Sequence, residues 1–293
     1  MFLKKEKMDQ DRYISLSEIS LRKFLKNKLA VLGVLILLIL VCLSACAPLL
    51  TDYTVSETDL FNMRSAPGGD HILGTDELGR DVFTRLLYGG RVSLLVGIAA
   101  MSVQLVIGVT LGAIAGYFGG MVDKIVMRII DVIMCFPFFV IAISIAAIVG
   151  PSVRNLVLII GLLMWPNIAR IVRAEILSLK ENDYIMAARA MGLSSFEIIT
   201  HHVLPNILSP VLVAATLSIA NSILSEASLS FLGIGVKLPQ PSWGNMLIAA
   251  QNLGTLQREW WLWIPAGLMV ILVVLSINFV GDGLRDALDP RTR

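Results

Sequence analysis

Six apolar runs, near residues 29–50, 92–117, 129–149, 153–173, 207–233 and 262–281, constrain this chain more than any other feature. A helix of about 20 apolar residues crosses the hydrocarbon core of a bilayer, and each run reaches that length. No water is available there to bond free backbone groups, so only helices and closed barrels can span it. The runs are continuous and lack the alternation, in segments of about 10 residues, that marks a membrane barrel. Hydrophobic residues make up 56% of the 293, and a soluble domain would have to leave much of that surface in water. The expectation is an all-α polytopic membrane protein with six transmembrane helices and a topology set by charge.

Charge distribution orients the spans, because Lys and Arg accumulate in cytoplasmic segments. With the N-terminus inside, 17 of the 24 basic residues fall on the cytoplasmic side. Both termini are therefore expected in the cytoplasm. Residues 1–28 form a cytoplasmic N-terminal segment, in which Tyr13 to Lys28 places Ile14, Leu16, Ile19, Phe24 and Leu25 among basic residues, as in a helix lying on the inner membrane face. The six-span membrane domain covers 29–281. It carries outer loops near 51–91 and 234–261, a cytoplasmic loop near 174–206, and a tail over 282–293. Arg80 to Arg91 is expected along the membrane surface. "LSAC", Leu43 to Cys46, resembles a lipoprotein cleavage box, but the long basic region before it and the later spans fit a retained first helix.

Within the second span, Gly108, Gly112, Gly116 and Gly120 recur at intervals of four. Such a row lies on one helix face and lets a second backbone approach closely, so these four are read as helix-packing residues. Pro137, and Pro166 after Trp165, remove helix hydrogen bonds and can bend the third and fourth spans. Cys42, Cys46 and Cys135 lie in apolar runs and act there as small apolar residues, without a disulfide or metal cluster.

Catalytic patterns are missing. The sequence has no H-E-x-x-H, no G-x-S-x-G, and no P-loop or Gly-Lys pair. No catalytic residue and no metal site is expected. His71, His201 and His202 read as surface or interface histidines, since adjacent helical residues point about 100° apart. Charged groups in spans are costly and draw attention to Asp131 and Glu226. Asp131 is expected to pair with Arg128 three residues away. Glu226 has no local cation and leaves two readings open: a place in the translocation path or its gate, or a buried hydrogen-bond anchor.

The loop between the fourth and fifth runs is polar and organised. Asp183 to Met191 reads as a short helix stopped by Gly192, and Ser194 with Glu197 matches a capping box for a second helix ending near Pro205. Ile185, Ala188, Phe196 and Ile199 form an apolar face available to something other than the chain's own core. This loop resembles the cytoplasmic signature of bacterial ABC-importer permeases, E-A-A-x-x-x-G, nine residues, then I-x-L-P. Ala187, Ala188, Gly192, Leu204 and Pro205 stand in matching places, while Met186 and His202 replace its Glu and Ile.

Five stretches, this loop among them, carry a more specific likeness: "FLKNKLAVLG", "HILGTDELGRDVFTRLLYGGRVSLLVG", "AARAMGLSSFEIITHHVLPN", "SEASLSFLGIGVKLPQPSWGNML" and "NFVGDGLRDALDPR". They resemble the C-type permease subunit of the dipeptide, oligopeptide and nickel branch of those importers. That resemblance implies a type I ABC-importer permease fold, a B-type permease partner, two ATPase subunits carrying ATP and Mg, and an extracytoplasmic substrate-binding protein. It implies no cofactor on this chain, membrane lipid around it, and no nucleic-acid partner. It makes Ala187, Ala188, Arg189, Gly192, Leu204 and Pro205 the residues that couple to an ATPase. Peptides are the expected cargo, with nickel, metal chelates or glutathione as alternatives. A self-contained carrier or channel and an intramembrane hydrolase are the competing classes.

Overall fold

The computed structural model describes residues 16–288, with side chains from residue 20 onward. Its principal helices are α1 (Leu16–Lys26), α2 (Lys28–Ala45), α3 (Val82–Phe118), α4 (Gly120–Cys135), α5 (Phe138–Val149), α6 (Val153–Leu179), α7 (Asp183–Ala190), α8 (Leu208–Phe231), α9 (Trp243–Met246) and α10 (Ile264–Leu288). No strand occurs among the described residues. Helices α2, α3, α6, α8 and α10 are each long and apolar enough to cross a membrane, and α4 with α5 adds a sixth crossing if that bent pair is one span. The basic segment expected over 13–28 is helical from Leu16; the expectations for residues 1–15 and 289–293 lie outside the described residues.

Helix α3 is the axis of the bundle. It packs most extensively on α6 and also meets α8 and α2, while α10 packs on α2 and α8. Small residues set the close approach. A Cβ on Gly108 would lie 2.7 Å from Ile168 Cβ, one on Gly112 2.6 Å from the Ala169 carbonyl oxygen, and one on Gly116 3.0 Å from Ile176 Cβ. Gly120 does not belong with them. Gly119 and Gly120 have φ of +65° and +56°, where α3 ends and the chain turns into α4, and no heavy atom lies within 4 Å of a Cβ built on Gly120. The interval of four continues in sequence after the helix has stopped.

Two spans differ from expectation. The run 129–149 is not one helix: α4 and α5 meet at a break with an 84° bend. Pro137 lacks an N–H and forces Phe136 into extended backbone (φ −100°, ψ 142°), which ends α4. Pro166, in contrast, sits inside α6, which continues through it. The second span starts ten residues early, at Val82, so Arg80 to Arg91 is no surface segment. Asp81 caps it, its Oδ1 accepting Thr84 N–H at 2.7 Å and the Thr84 hydroxyl at 2.8 Å. The opening turns bury Leu86, Leu87 and Arg85. Arg91 donates from Nε to the Ser44 carbonyl and from Nη2 to the Ala45 carbonyl, both at 2.6 Å, so its charge meets the free carbonyls that end α2.

The loop that precedes α3 is shorter than expected and tied down. Trp261 Nε1 donates to the Thr75 carbonyl at 3.4 Å, and Ser65 N–H donates to Thr75 Oγ1 at 2.9 Å. His71 is not a surface histidine: its Nδ1 lies 2.9 Å from Asp81 Oδ2, and Tyr53 stacks on its ring. Large apolar side chains on α2, α4, α5 and α10, such as Leu35, Leu38, Ile125, Val140 and Ile271, face outward, as a lipid solvent allows.

Candidate functional site

The loop after α6 folds as two short helical pieces around a glycine. Asn182 precedes α7, and Gly192, at φ +81°, turns the chain out of it. Ser194 then starts the second piece through a complete capping box. Glu197 N–H donates to Ser194 Oγ at 3.3 Å, and Glu197 Oε2 accepts Ser194 N–H at 2.8 Å and the Ser194 hydroxyl at 2.7 Å. These bonds, the Ser194 hydroxyl first, hold the Glu197 carboxyl below the usual glutamate range. The second piece is not an α-helix to Pro205. After Ser195–Glu197 it widens into a π turn over Ile198–Val203, with Leu204 N–H bonded to the Ile199 carbonyl at 2.8 Å.

The buried and free faces of this loop differ from the expected ones. Ile185 and Ala188 are fully buried, with Ile198, Val203 and Ile207, against Tyr117 of α3 and Val172 and Ile176 of α6. They seat the loop on its own bundle and cannot face outward, because the axis of α7 turns that pair toward α3 and α6. Arg189 stacks over the Tyr117 ring at 4.9 Å, and Leu204 packs partly buried on the same cluster. Ala187, Gly192 and Pro205 are exposed, Ile199 is half-buried, and His201 is exposed with Nδ1 2.9 Å from Thr200 Oγ1. The outward apolar surface instead comes from Tyr184, Met186, Met191 and Phe196, the last 74% exposed. Sequence reasoning missed three of these. The available signal was that Met186 and Met191 fall outside the helical register of Ile185 and Ala188.

A second cluster lies deep in the bundle. Glu226 on α8 is fully buried and meets hydroxyls rather than a cation: Oε2 accepts Ser93 Oγ–H of α3 at 2.9 Å, and Oε1 accepts Ser230 Oγ–H at 2.7 Å. Both hydroxyls also accept backbone donors, Trp243 N–H on Ser93 at 3.1 Å and Val236 N–H on Ser230 at 3.3 Å. Trp243 Nε1 donates in turn to the Leu86 carbonyl at 3.0 Å. Glu226 thus joins α8 and α3 to the segment that carries α9. Gly244 permits the approach, since a Cβ there would lie 2.5 Å from Ala227 Cα.

Asp131 does not pair with Arg128. Its Oδ1 receives Arg170 Nη2 of α6 at 2.7 Å, both side chains about half-exposed. Asp123 takes both Nε and Nη2 of Arg173, the latter at 2.6 Å, so two ion pairs fasten α4 to α6. Cys42, Cys46 and Cys135 are free and exposed.

Comparison with known proteins places this architecture. Residues 108–293 match the family described as binding-protein-dependent transport system inner membrane component, and residues 15–67 match the N-terminal TM domain of oligopeptide transport permease C. The dipeptide transport system permease protein DppC of Alkalihalophilus pseudofirmus is 42% identical over 286 residues, covering 97% of this chain and 93% of its own length. The oligopeptide transport system permease protein OppC of Bacillus subtilis is 38% identical over 281 residues, covering 96% and 91%. A solved chain of the MetNI methionine ABC transporter, in an inward-facing conformation, shares the fold with a TM-score of 0.56 at 21% identity, over 70% of this chain and 96% of that one. The chain is a multi-pass inner-membrane protein and belongs to the family of binding-protein-dependent transport system inner membrane components, in the branch of the dipeptide and oligopeptide permease C proteins.

Proposed function

We propose that this chain forms half of the translocation path of an ATP-driven importer of dipeptides or oligopeptides, and that α7 with the π turn after it is the surface on which a partner ATPase acts. The chain is itself a non-catalytic permease subunit. ATP and Mg reside on two ATPase partners; a B-type permease completes the path, and an extracytoplasmic binding protein delivers the cargo. The peptide assignment is supported by the dipeptide and oligopeptide relatives, whose similarity runs nearly end to end.

The observation that carries the coupling assignment is the two-faced loop. Tyr184, Met186, Met191 and Phe196 project into solvent from a piece whose other face, Ile185 and Ala188, is locked into the core of α3 and α6. A knob that is apolar outside and rigidly seated inside transmits displacement, because packed cores shift between discrete arrangements and do not deform continuously. ATP-driven closure of the ATPases pushes on the knob, and Ile185, Ala188 and Arg189 pass the push to Tyr117, Val172 and Ile176. Ala187, Gly192, Leu204 and Pro205 keep the loop small and turned so that it can seat. With both termini cytoplasmic, this loop lies on the ATPase side of the membrane.

Reconstitution tests the reading. The chain with its co-expressed B-type permease, ATPases and binding protein should take up radiolabelled dipeptide only with ATP, and omitting the ATPases should abolish uptake. Uptake by the chain alone would establish a self-contained carrier in its place.

A further inference from the structure

At the polar end of the bundle opposite α7, a cavity of about 420 Å³ opens between the segment preceding α3, the first turns of α3, and the stretch from Leu238 to Leu262. Its inner wall holds two guanidinium groups, Arg80 and Arg85, whose side chains are 7% and 5% exposed. One carboxylate serves both: Asp76 Oδ2 accepts Arg80 Nε at 2.7 Å and lies 3.5 Å from Arg85 Nε. Asp76 Oδ1 is already occupied by the backbone N–H groups of Leu78 at 2.9 Å and Arg80 at 3.0 Å. Two cations against one anion leave an excess positive charge within this triad; the other charged lining residues, Arg64 and Glu77, lie 3.9 Å apart, and Arg64 also pairs with Glu259 at 3.3 Å. Arg85 directs Nη1 at the carbonyls of Pro239, 3.2 Å, and Val55, 3.4 Å, which are neutral and cannot balance it. Among the described residues, the terminal amino groups of Arg80 meet no acceptor.

Buried cationic charge of this kind is costly unless an anion completes it, and a guanidinium fork fits a carboxylate through paired N–H donors. The remaining lining suits an organic solute better than a bare inorganic anion. Asn245, Gln251, Asn252 and Thr255 offer neutral hydrogen-bonding groups, and Met246 and Ile248 offer apolar surface. The cavity's volume lies within the roughly 300–1,000 Å³ usual for small-ligand sites, and its lining mixes charged, neutral polar and apolar groups.

We propose that this cavity binds the free C-terminal carboxylate of a short peptide through Arg80 and Arg85, as an entry site on the permease itself; the choice of a peptide rests on the importer reading above. The bound carboxylate supplies the anion the wall lacks, and the peptide's side chain lies over Met246 and Ile248. The site recognises a chain end and not a sequence, as a carrier of many peptides requires.

The test uses the permease–ATPase complex in lipid nanodiscs, without binding protein, and two probes: alanyl-phenylalanine as the free acid and as its C-terminal amide. Saturable binding of the acid with at least tenfold weaker binding of the amide is the expected result, and it needs no variant. Ile248→Trp, which narrows the hollow and leaves both arginines in the sequence, should abolish binding of the acid while the complex remains monodisperse. Equal binding of acid and amide, absence of saturable binding, or unchanged binding by Ile248→Trp overturns the site. Failure of the importer reading shows separately, as absence of ATP-dependent peptide uptake by the wild-type complex with its binding protein; uptake that proceeds without binding at this cavity sinks the entry site alone.

Discussion

Ser93 Oγ donates a 2.9 Å hydrogen bond to Glu226 Oε2 across the buried seam between α3 and α8, and the same oxygen accepts the Trp243 N–H. One hydroxyl thus connects two spans and the segment after α8. Removing the carboxylate strands donors in a place that water does not reach.

Glu226→Ala should therefore destabilise the chain by about 1–3 kcal/mol, the cost of unsatisfied buried groups. Glu226→Gln should cost less, because its amide oxygen still accepts one serine while its NH2 group opposes the other. For Glu226→Gln, transport should fall more than assembly does. Thermal unfolding in detergent, set beside uptake at matched membrane abundance, checks both; an unchanged uptake rate removes Glu226 from the transport path.

The glycine row separates packing from turning. Gly112→Val should destabilise by about 1–3 kcal/mol, the range for overpacked cores, since its new atoms meet the Ala169 carbonyl and Val172. Gly120→Ala meets open space and should cost about 1–2 kcal/mol for backbone conformation alone. Gly120→Asn should recover part of that loss, whereas Gly112→Asn should not. Unfolding midpoints of the four variants decide it.

The two faces of this loop should fail differently. Ala188→Trp has no room in the cluster around Tyr117 and Ile176 and should lower stability and abundance together. Phe196→Ser alters only the outward knob; it should leave abundance and unfolding unchanged while substrate-stimulated ATPase activity falls severalfold. Normal stimulation in Phe196→Ser would remove the knob from the ATPase contact.

Acid should loosen the second piece of that loop. Glu197 has its carboxyl pKa lowered by the Ser194 hydroxyl and N–H. A depressed folded value contributes stability that is fully present above the unfolded value, about 4.3, and is lost as pH falls through the folded one. The protection of the amides of residues 195–199, measured against their intrinsic exchange rates, should therefore fall below about pH 4 in the wild type. In Glu197→Gln that acid-dependent step should disappear.

Asp131 and Arg170 should behave as a pair. Each is about half-exposed, so the coupling is small, about 0.2–1 kcal/mol, but reversible in sign. Asp131→Arg should impair uptake, and adding Arg170→Asp should restore it. A double variant no better than the single one breaks the pairing.

Much of the fold was legible along the chain because it depends on neighbours along the chain. A capping box spans three residues, and Ser194 with Glu197 shows it in the letters. Gly192 ends α7 by its own φ. The α4–α5 break was only half legible: Pro137 marked a bend, but Pro166, equally visible, is carried within α6. The difference lies in the packing around each proline, which no local pattern contains. Ile185 and Ala188 were readable as one apolar face, but the direction of that face was not. It depends on how α7 is rotated against α3 and α6.

The apolar runs along the chain were enough to read its helical, membrane-spanning character, and the motifs its family, because apolar length, backbone satisfaction and motif spacing are properties of contiguous residues. The partners of its costly polar groups come from the packing of distant helices. Glu226 meets Ser93 across 133 positions, Asp131 meets Arg170 across 39, and Arg80 and Arg85 share Asp76 beside a cavity closed by residues beyond 238. Helix rotation and approach, set by glycines and side-chain volume between spans, choose such partners, and neither is written in the period of any one helix.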